Sequence, residues 1–289
     1  MKKVIILIPI YNDWESLNKL ILEIDDNIKQ IKNFSFDCYV INDASNIKHF
    51  KLDKPKNLGS LKIFNMKINK GHARCNAFGI RHVCENQNFD YLILMDGDGE
   101  DRPIEIKSLI NMILQEPDKS VVAKRVKRSE GPFFQFLYQM HKLLTLVFTG
   151  KKINFGNYSC LTKKEAEILS SKSSLWSSYS GTVKKYLKSF NEIDSIRGSR
   201  YFGPSKMSIL NLLLHSFSII AVFRNQVLLR SILMVILLYY FYLGILSVFL
   251  QITIVLFNLL IFIVSFREDE KALLNCQDNL DNILDNIKE

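Results

Sequence analysis

The stretch Tyr91-Leu92-Ile93-Leu94-Met95-Asp96-Gly97-Asp98-Gly99-Glu100-Asp101 ends an apolar run in carboxylates separated by glycines, and Pro103 then opens a helical pattern. Carboxylates at this spacing suit a hard divalent cation, Mg²⁺ or Mn²⁺, which takes oxygen ligands and often bridges protein to substrate phosphates. The glycines let backbone and ligand approach closely. An isolated match of this kind favours a solvated Asp/Gly turn; the other loops of the chain reverse that preference.

Three further polar loops fall where strands are expected to end. Pro9-Ile10-Tyr11-Asn12-Asp13 follows the first apolar run, and Ile41-Asn42-Asp43-Ala44-Ser45 follows the second. There Asp43 could accept hydrogen bonds from a base or ribose, or merely cap a helix. Asn69-Lys70-Gly71-His72-Ala73-Arg74 opens a helix, whose N-terminus with Lys70 and Arg74 beside it suits an anion. Each loop alone reads as an ordinary turn, and their order together with Asp96-Gly97-Asp98 is the signal.

In these loops the chain resembles the family 2 glycosyltransferases of the GT-A fold, in particular the polyprenyl-phosphate sugar synthases. The family's P-x-Y-N-E stands as Pro9-Ile10-Tyr11-Asn12-Asp13, and its D-D-x-S as Asn42-Asp43-Ala44-Ser45, with asparagine first. N-x-G-x-x-x-A reads Asn69-Lys70-Gly71-His72-Ala73-Arg74-Cys75, with the alanine displaced to Ala77. D-x-D-x-Q reads Asp96-Gly97-Asp98-Gly99-Glu100, and P-E reads Pro103-Ile104-Glu105. Lys124-Arg125-Val126-Lys127-Arg128 is similar to the family's R-x-x-R, and Arg200 to Lys206 to its R-x-x-G-x-S-K. The resemblance covers residues 3 to about 266. It implies a nucleotide sugar held by Pro9, Tyr11, Asn12, Asp13, Asp43, Lys70, Gly71, Arg74, Asp96 and Gly97.

A sugar donor of this kind carries a diphosphate whose charge must be neutralised as the anomeric bond breaks. A metal on Asp98 and Asp96, with Glu100 as a further ligand or outside the shell, acts as Lewis acid on that leaving group. Arg125, Arg128, Arg200 and Lys206 are candidates for clamping phosphates, with Arg suited to bidentate contact. Asp96, Asp98, Arg125, Arg200 and Lys206 are the expected catalytic set, and Arg128, Ser205 and Lys206 the expected acceptor-phosphate site. Lys124 and Lys127 read instead as attraction to anionic lipid headgroups.

Such loops need a scaffold that brings strand ends together. Val4–Ile10, Phe36–Ile41, Leu61–Asn65, Tyr91–Met95 and Ser120–Ala123 read as strands, alternating with helices at Trp14–Ile31, Gly71–Glu85 and Pro103–Leu114. That alternation predicts an α/β fold with a mainly parallel sheet covered on both faces, and the resemblance implies its GT-A form, a mixed, Rossmann-like sheet. Further helices are expected at Phe133–Phe148, Lys163–Ser170 and Trp176–Phe190. Ligands of such a sheet sit outside the carboxyl ends of its strands.

The chain has 289 residues and a formal net charge of +9. That excess fits anionic membranes or phosphorylated substrates, while nucleic acid is disfavoured because no nucleic-acid-binding motif accompanies it. Cys38, Cys75, Cys84, Cys160 and Cys276 show no C-x-x-C pair and fit reduced cytosolic thiols. The start, Met1-Lys2-Lys3 followed by Val4–Ile8, imitates a signal peptide, but no small-residue cleavage site follows. A first buried strand is the better reading.

From Val227 to Phe266 the sequence is almost wholly apolar. One membrane span needs about 20 residues, so this length predicts a transmembrane helical hairpin, with its turn near Gly244 to Gln251. Lys206, Arg224 and Arg230 before it and Arg267 after it place both ends in the cytoplasm. Residues 207–226 are expected as an interfacial helix, though packing under the catalytic domain suits the apolar part of them as well. Residues 267–289 read as an acidic cytoplasmic tail with a short heptad-like rhythm through Leu273, Cys276, Leu280, Ile283 and Ile287. The expected division is therefore 1–206 (catalytic), 207–226, 227–266 and 267–289.

A sugar hydroxyl acceptor needs a general base, whereas a lipid phosphate is mostly dianionic at neutral pH and can attack unaided. Asn154–Ser159, the expected acceptor side, holds no carboxylate, although Asp101 or Glu100 could fold inward. The expectation is an inverting, metal-dependent transferase moving a sugar from a UDP- or GDP-sugar to polyprenyl phosphate, with a homo-oligomer left open. Its rivals are transfer to a saccharide and a decayed, membrane-tethered scaffold. His49, His72, His82, His141 and His215 show no metal spacing, and His72 reads first as a solvated loop residue. Trp176 and Tyr179 read first as packing.

Overall fold

A computed structural model describes residues 1–47, 52–53, 55–127, 132–204, 208–242 and 244–285. In chain order the elements are β1 (Lys2–Ile10), α1 (Trp14–Ile28), β2 (Phe34–Asn42), β3 (Ser60–Met66), α2 (His72–Asn86) and β4 (Tyr91–Leu94). Next come α3 (Ile106–Gln115), β5 (Val121–Lys127), α4 (Pro132–Thr149), β6 (Phe155–Thr162), α5 (Lys163–Ser170), α6 (Tyr179–Tyr186) and β7 (Asn191–Ile196). The chain ends with α7 (Ile209–Ala221), α8 (Arg224–Phe241), α9 (Ile245–Ser265), α10 (Glu270–Leu274) and β8 (Leu280–Asp285).

The strands form one sheet in the order β7-β5-β6-β4-β1-β2-β3-β8. β1 pairs in parallel with both β2 and β4, β2 with β3, and β5 with β7. β6 runs antiparallel between β4 and β5, and β8 runs antiparallel along β3. The sheet is mixed and mostly parallel. β1 shows why its sequence is continuously apolar: Val4, Ile6 and Ile8 pack on the face carrying α1 and α3, while Ile5 and Leu7 pack on the face carrying α2.

Every strand and helix expected in the first 125 residues is present, with ends shifted by a few residues. The expected helix over Pro103–Leu114 begins as a 3-10 turn at Pro103–Glu105, and that over Trp176–Phe190 is shorter and is preceded by a 3-10 turn at Ser173–Trp176. Two strands of the irregular middle, β6 and β7, had no strand expectation. β7 is held partly by buried Glu105, which accepts from Ser195 Oγ at 2.6 Å and from Ile196 N at 3.1 Å. Residues 267–285 differ most from expectation, and Ile287 of the expected rhythm lies outside the described residues. Instead of a separate tail with a heptad stripe, they contribute α10 and β8, and Ile283 pairs with Phe64 inside the sheet.

α4, α7, α8 and α9 form a helical layer around Phe148, Ile220, Ala221, Val227, Ile261 and Val264. Arg230 of α8 donates to the Val147 carbonyl at 3.3 Å, placing a cation at the C-terminal end of α4. Only 11% of the apolar window in α8 and 17% of that beginning in α9 is buried, so neither is a core helix. Both are long and apolar enough to cross a membrane. Two of their polar side chains bond within the pair: Ser247 Oγ to the Leu238 carbonyl at 3.1 Å, Asn258 Nδ2 to the Ile254 carbonyl at 2.8 Å. α8 ends at Phe241 and α9 begins at Ile245, at the early edge of the expected turn.

Candidate active site

β1, β2, β3 and β4 deliver their following loops to the carboxyl edge of the sheet, at the switch point where β1 is flanked by β2 and β4. The Asp96–Asp101 loop lies against the end of β1. A Cβ on Gly97 would stand 2.8 Å from Ile10 Cγ2 and 3.1 Å from the Pro9 carbonyl, so only glycine permits this approach. Gly99 has φ +87°, and a side chain there would overlap the ring of Tyr201.

Asp96 is the most heavily supported carboxylate. His72 Nε2 lies 3.2 Å from its Oδ1, Asn157 Nδ2 donates to the same oxygen at 3.2 Å, and Arg125 Nη2 stands 3.9 Å from Oδ2. Burial opposes its charge, but His72, Arg125 and Arg197 outweigh that and hold its pKa below the carboxylate range. In return, although burial works against it, the Asp96 charge raises the His72 pKa. His72 therefore faces the carboxylate cluster; the solvated-loop reading is corrected. The signal available in the sequence was its place as the first residue of a helix that starts beside a strand end.

Asp98 Oδ2 accepts from Arg200 Nη1 at 2.7 Å, and the other arm of that guanidinium pairs with Asp13. Burial and the neighbouring Asp96 push the Asp98 pKa up to about 6. Asp101 is sealed at 4% exposure; its Oδ2 accepts from Asp96 N at 2.9 Å, and Arg125 Nη2 lies 3.8 Å from Oδ1. Burial first, then the Asp96 charge, push the Asp101 pKa up to about 8. Glu100, expected at a metal, has its carboxylate paired with Arg197. The segment carrying these arginines is laced to the acidic loop through Gly198 N to the Glu100 carbonyl at 2.8 Å and Tyr201 N to the Asp98 carbonyl at 3.0 Å.

The other expected residues divide. Asn12, at φ 54°, donates its N–H to Ser45 Oγ at 2.8 Å, and its Oδ1 accepts from Asn46 N and Ile47 N at 2.9 and 3.0 Å. It thus ties the β1 loop to the β2 loop, where Ala44 also has φ 54°. Backbone held in this region away from glycine marks a site that the surroundings over-determine. Tyr11 is exposed at the mouth. Asp43 accepts from Lys70 N and Gly71 N, both at 2.8 Å, so its carboxylate orders the turn into α2. Arg74 lines a small cavity with Asp43, Lys70 and Trp176, and burial followed by the charge of Arg267 lowers its pKa to about 10. Trp176 and Tyr179 are packed in the core, as read. Arg128, Ser205, Lys206 and His49 lie outside the described residues.

The acidic loop offers hard oxygen donors, yet among the described residues no three metal-ligating side chains converge into a cage. Asp98 and Asp96 are the carboxylates that would hold a divalent cation, a number of protein ligands that suits Mg²⁺. Arg200 lies across one of those carboxylates, Asp98.

The family model described as Glycosyl transferase family 2 matches residues 5–177. The chain belongs to that family. Among curated members of known assignment, undecaprenyl-phosphate 4-deoxy-4-formamido-L-arabinose transferase of Photorhabdus laumondii is 25% identical over 226 residues, 74% of this chain and 65% of that protein. The Proteus mirabilis protein of the same description is 23% identical over 218 residues. The chain thus spans about 65% of the length of these family relatives. Mannosyl-3-phosphoglycerate synthase from Rubrobacter xylanophilus aligns with a TM-score of 0.55 at 13% identity, over 80% of this chain and 75% of that one. Glucosyl-3-phosphoglycerate synthase from Mycobacterium tuberculosis, in complex with Mn²⁺, UDP-glucose and phosphoglyceric acid, aligns with a TM-score of 0.51 at 12% identity, over 78% and 80%. The family's GT-A architecture is the one this sheet and its helices adopt.

Proposed function

We propose that this protein is an inverting glycosyltransferase that moves a sugar from a nucleoside diphosphate donor to a polyprenyl phosphate at the cytoplasmic face of a membrane. The observation that carries the reading is the junction between the acidic loop and the apolar helices. Half-buried His215 of α7 stands within electrostatic range of this cluster: burial first, then His72, His141 of α4 and Arg125, lower its pKa to about 4 against the opposing pull of Asp96. α7 packs on α9, and α4 and α7 expose Phe136, Leu143, Ile209 and Leu210 beside the two long apolar helices. A site that opens beside such a layer suits an acceptor whose phosphate is in water and whose tail is in lipid.

Asp96 and Asp98 are the residues that would hold a divalent cation, and such a cation would supply positive charge to the departing diphosphate. Arg200, freed from Asp98, and Arg125 are the guanidiniums placed to hold phosphate oxygens. The acceptor phosphate, mostly dianionic near neutral pH, forms its bond to the anomeric carbon as the bond to the diphosphate breaks on the opposite side. No proton needs to be removed. That agrees with β6, which contributes Asn157 and no carboxylate, and with Asp101, which is sealed and disposed to keep its proton. The curated relatives are described as undecaprenyl-phosphate sugar transferases, which supports the same acceptor class.

The test is to incubate membranes containing the protein with a panel of labelled UDP- and GDP-sugars and to extract the lipids. Label in a mild-acid-labile lipid that disappears with Asp98→Ala is the expected result. Label confined to polysaccharide overturns the lipid acceptor, and donor binding with no turnover for any sugar overturns the transferase.

A further inference from the structure

β8 runs antiparallel to β3, so its beginning, not its end, lies at the carboxyl edge of the sheet: Leu280 pairs with Met66. Asn279, immediately before it, is therefore delivered to the edge that carries the β2 and β3 loops. Its side-chain amide grips one residue of the β3 loop twice, with Oδ1 accepting from Ile68 N at 3.1 Å and Nδ2 donating to the Ile68 carbonyl at 2.9 Å. Lys67 N adds a bond to the Asn279 carbonyl at 2.7 Å. Two residues further on, Lys70 N and Gly71 N hold the Asp43 carboxylate, and Asn279 lines the small cavity shared by Asp43, Lys70, Arg74 and Trp176.

A second thread starts from the same strand. Asn282 Oδ1 accepts from Asn65 Nδ2 at 2.7 Å, and Asn65 Oδ1 accepts from Asn42 Nδ2 at 2.8 Å. Asn42 Oδ1 accepts from Ser45 N at 3.1 Å, and Ser45 Oγ accepts from Asn12 N at 2.8 Å. This amide relay crosses from β8 to the β1 loop and passes through the position where the family pattern has its first aspartate. The segment that supplies it is anchored by Leu273 and Cys276 in the core and by Gln277 Oε1, 3.1 Å from His82 Nδ1. Four residues after α9 ends, α10 begins, so the strand is tethered directly to the apolar helix pair.

We propose that Cys276–Asp285 is a working part of the donor site, with Asn279 and Asn282 as positioning residues that hold the Asp43 carboxylate and the β1, β2 and β3 loops in the conformation that takes a nucleoside diphosphate. This rests on the donor class assigned above. It makes donor affinity depend on the docking of a strand that follows the membrane-associated helices.

The full chain in lipid nanodiscs, with Mn²⁺, tests it by titration with UDP and with GDP, and by donor KM and kcat at saturating polyprenyl phosphate. Asn279→Ala and Asn282→Ala are each expected to weaken binding of the preferred diphosphate and raise donor KM about fivefold to tenfold, the effect of one lost positioning bond, with kcat within about twofold. Deleting residues 276–289 gives the same split in larger measure. Variants that melt at lower temperature but keep donor Kd and KM within about twofold overturn the proposal, because β8 then only stabilises the sheet. An unaltered chain that binds a diphosphate without making a lipid-linked sugar defeats the acceptor reading alone, while the variants still decide this one. An unaltered chain that binds neither diphosphate overturns both.

Discussion

Arg200 donates to Asp98 at 2.7 Å and extends its second arm to Asp13, so one guanidinium bridges the loop after β4 to the loop after β1. A divalent cation bound to Asp98 competes with that bridge. Arg200→Ala is therefore expected to tighten Mn²⁺ binding to the donor-free protein about tenfold, since a cation no longer displaces an ion pair. The same variant is expected to lower kcat by roughly a hundredfold, because Arg200 is lost to the leaving diphosphate. Mn²⁺ titration followed by electron paramagnetic resonance reads the first effect. Unchanged Mn²⁺ affinity defeats the competition.

His72 and Asn157 converge on one oxygen of Asp96. Replacing His72 by Ala removes the partner that does most to hold the Asp96 pKa down, so the pKa of Asp96 rises. The acid limb of the kcat/KM profile is expected to move to higher pH, and activity at neutral pH to fall about tenfold or more. A profile that drops uniformly, with its acid limb in place, removes His72 from this role.

Asp101 has a higher pKa folded than unfolded, so the folded chain keeps a proton that the unfolded chain releases. Its contribution to stability is therefore most favourable below the ordinary carboxylate range and declines as pH rises toward about 8. Asp101→Asn retains an oxygen for Asp96 N and cannot ionise. Its melting temperature is expected to fall less than that of the parent between about pH 4 and pH 8. Parallel curves for the two proteins count against the buried, proton-holding carboxyl.

Leu237 on α8 and Val255 on α9 are both exposed on the apolar helices. Placing arginine at both costs about 3 kcal/mol each if those positions lie at bilayer depth. The double variant is expected to leave the membrane fraction on carbonate extraction, whereas Lys107→Glu on the outer surface of α3 is not. Full retention of the double arginine variant rules out both helices as spans.

Local chemistry was legible where a short segment decides its own environment. The apolar run of β4 ending in Asp96-Gly97-Asp98 had to be a buried strand delivering carboxylates to an edge, whatever lay around it. β6 and β8 were not legible, because each takes its place by antiparallel pairing with strands far away in the chain. Nothing within Leu280–Asp285 announces that Phe64 will lie beside Ile283. The apparent heptad rhythm misled because Leu273, Cys276, Leu280 and Ile283 are shared between α10, a 3-10 turn and a strand.

The sequence alone determined the alternating α/β pattern, the acidic loop, the ordered strand-end motifs and the length of the apolar pair. Those depend on periodicity and residue type, which act over a few neighbours. Only the tertiary structure decided how the charges are shared. Arg197 takes Glu100, Arg200 divides itself between Asp98 and Asp13, His72 turns to Asp96, and Asp43 is occupied by the α2 turn. Each pairing brings together groups that are distant in the sequence. Which cation neutralises which buried carboxylate depends on distances of a few ångströms that only the packed sheet sets.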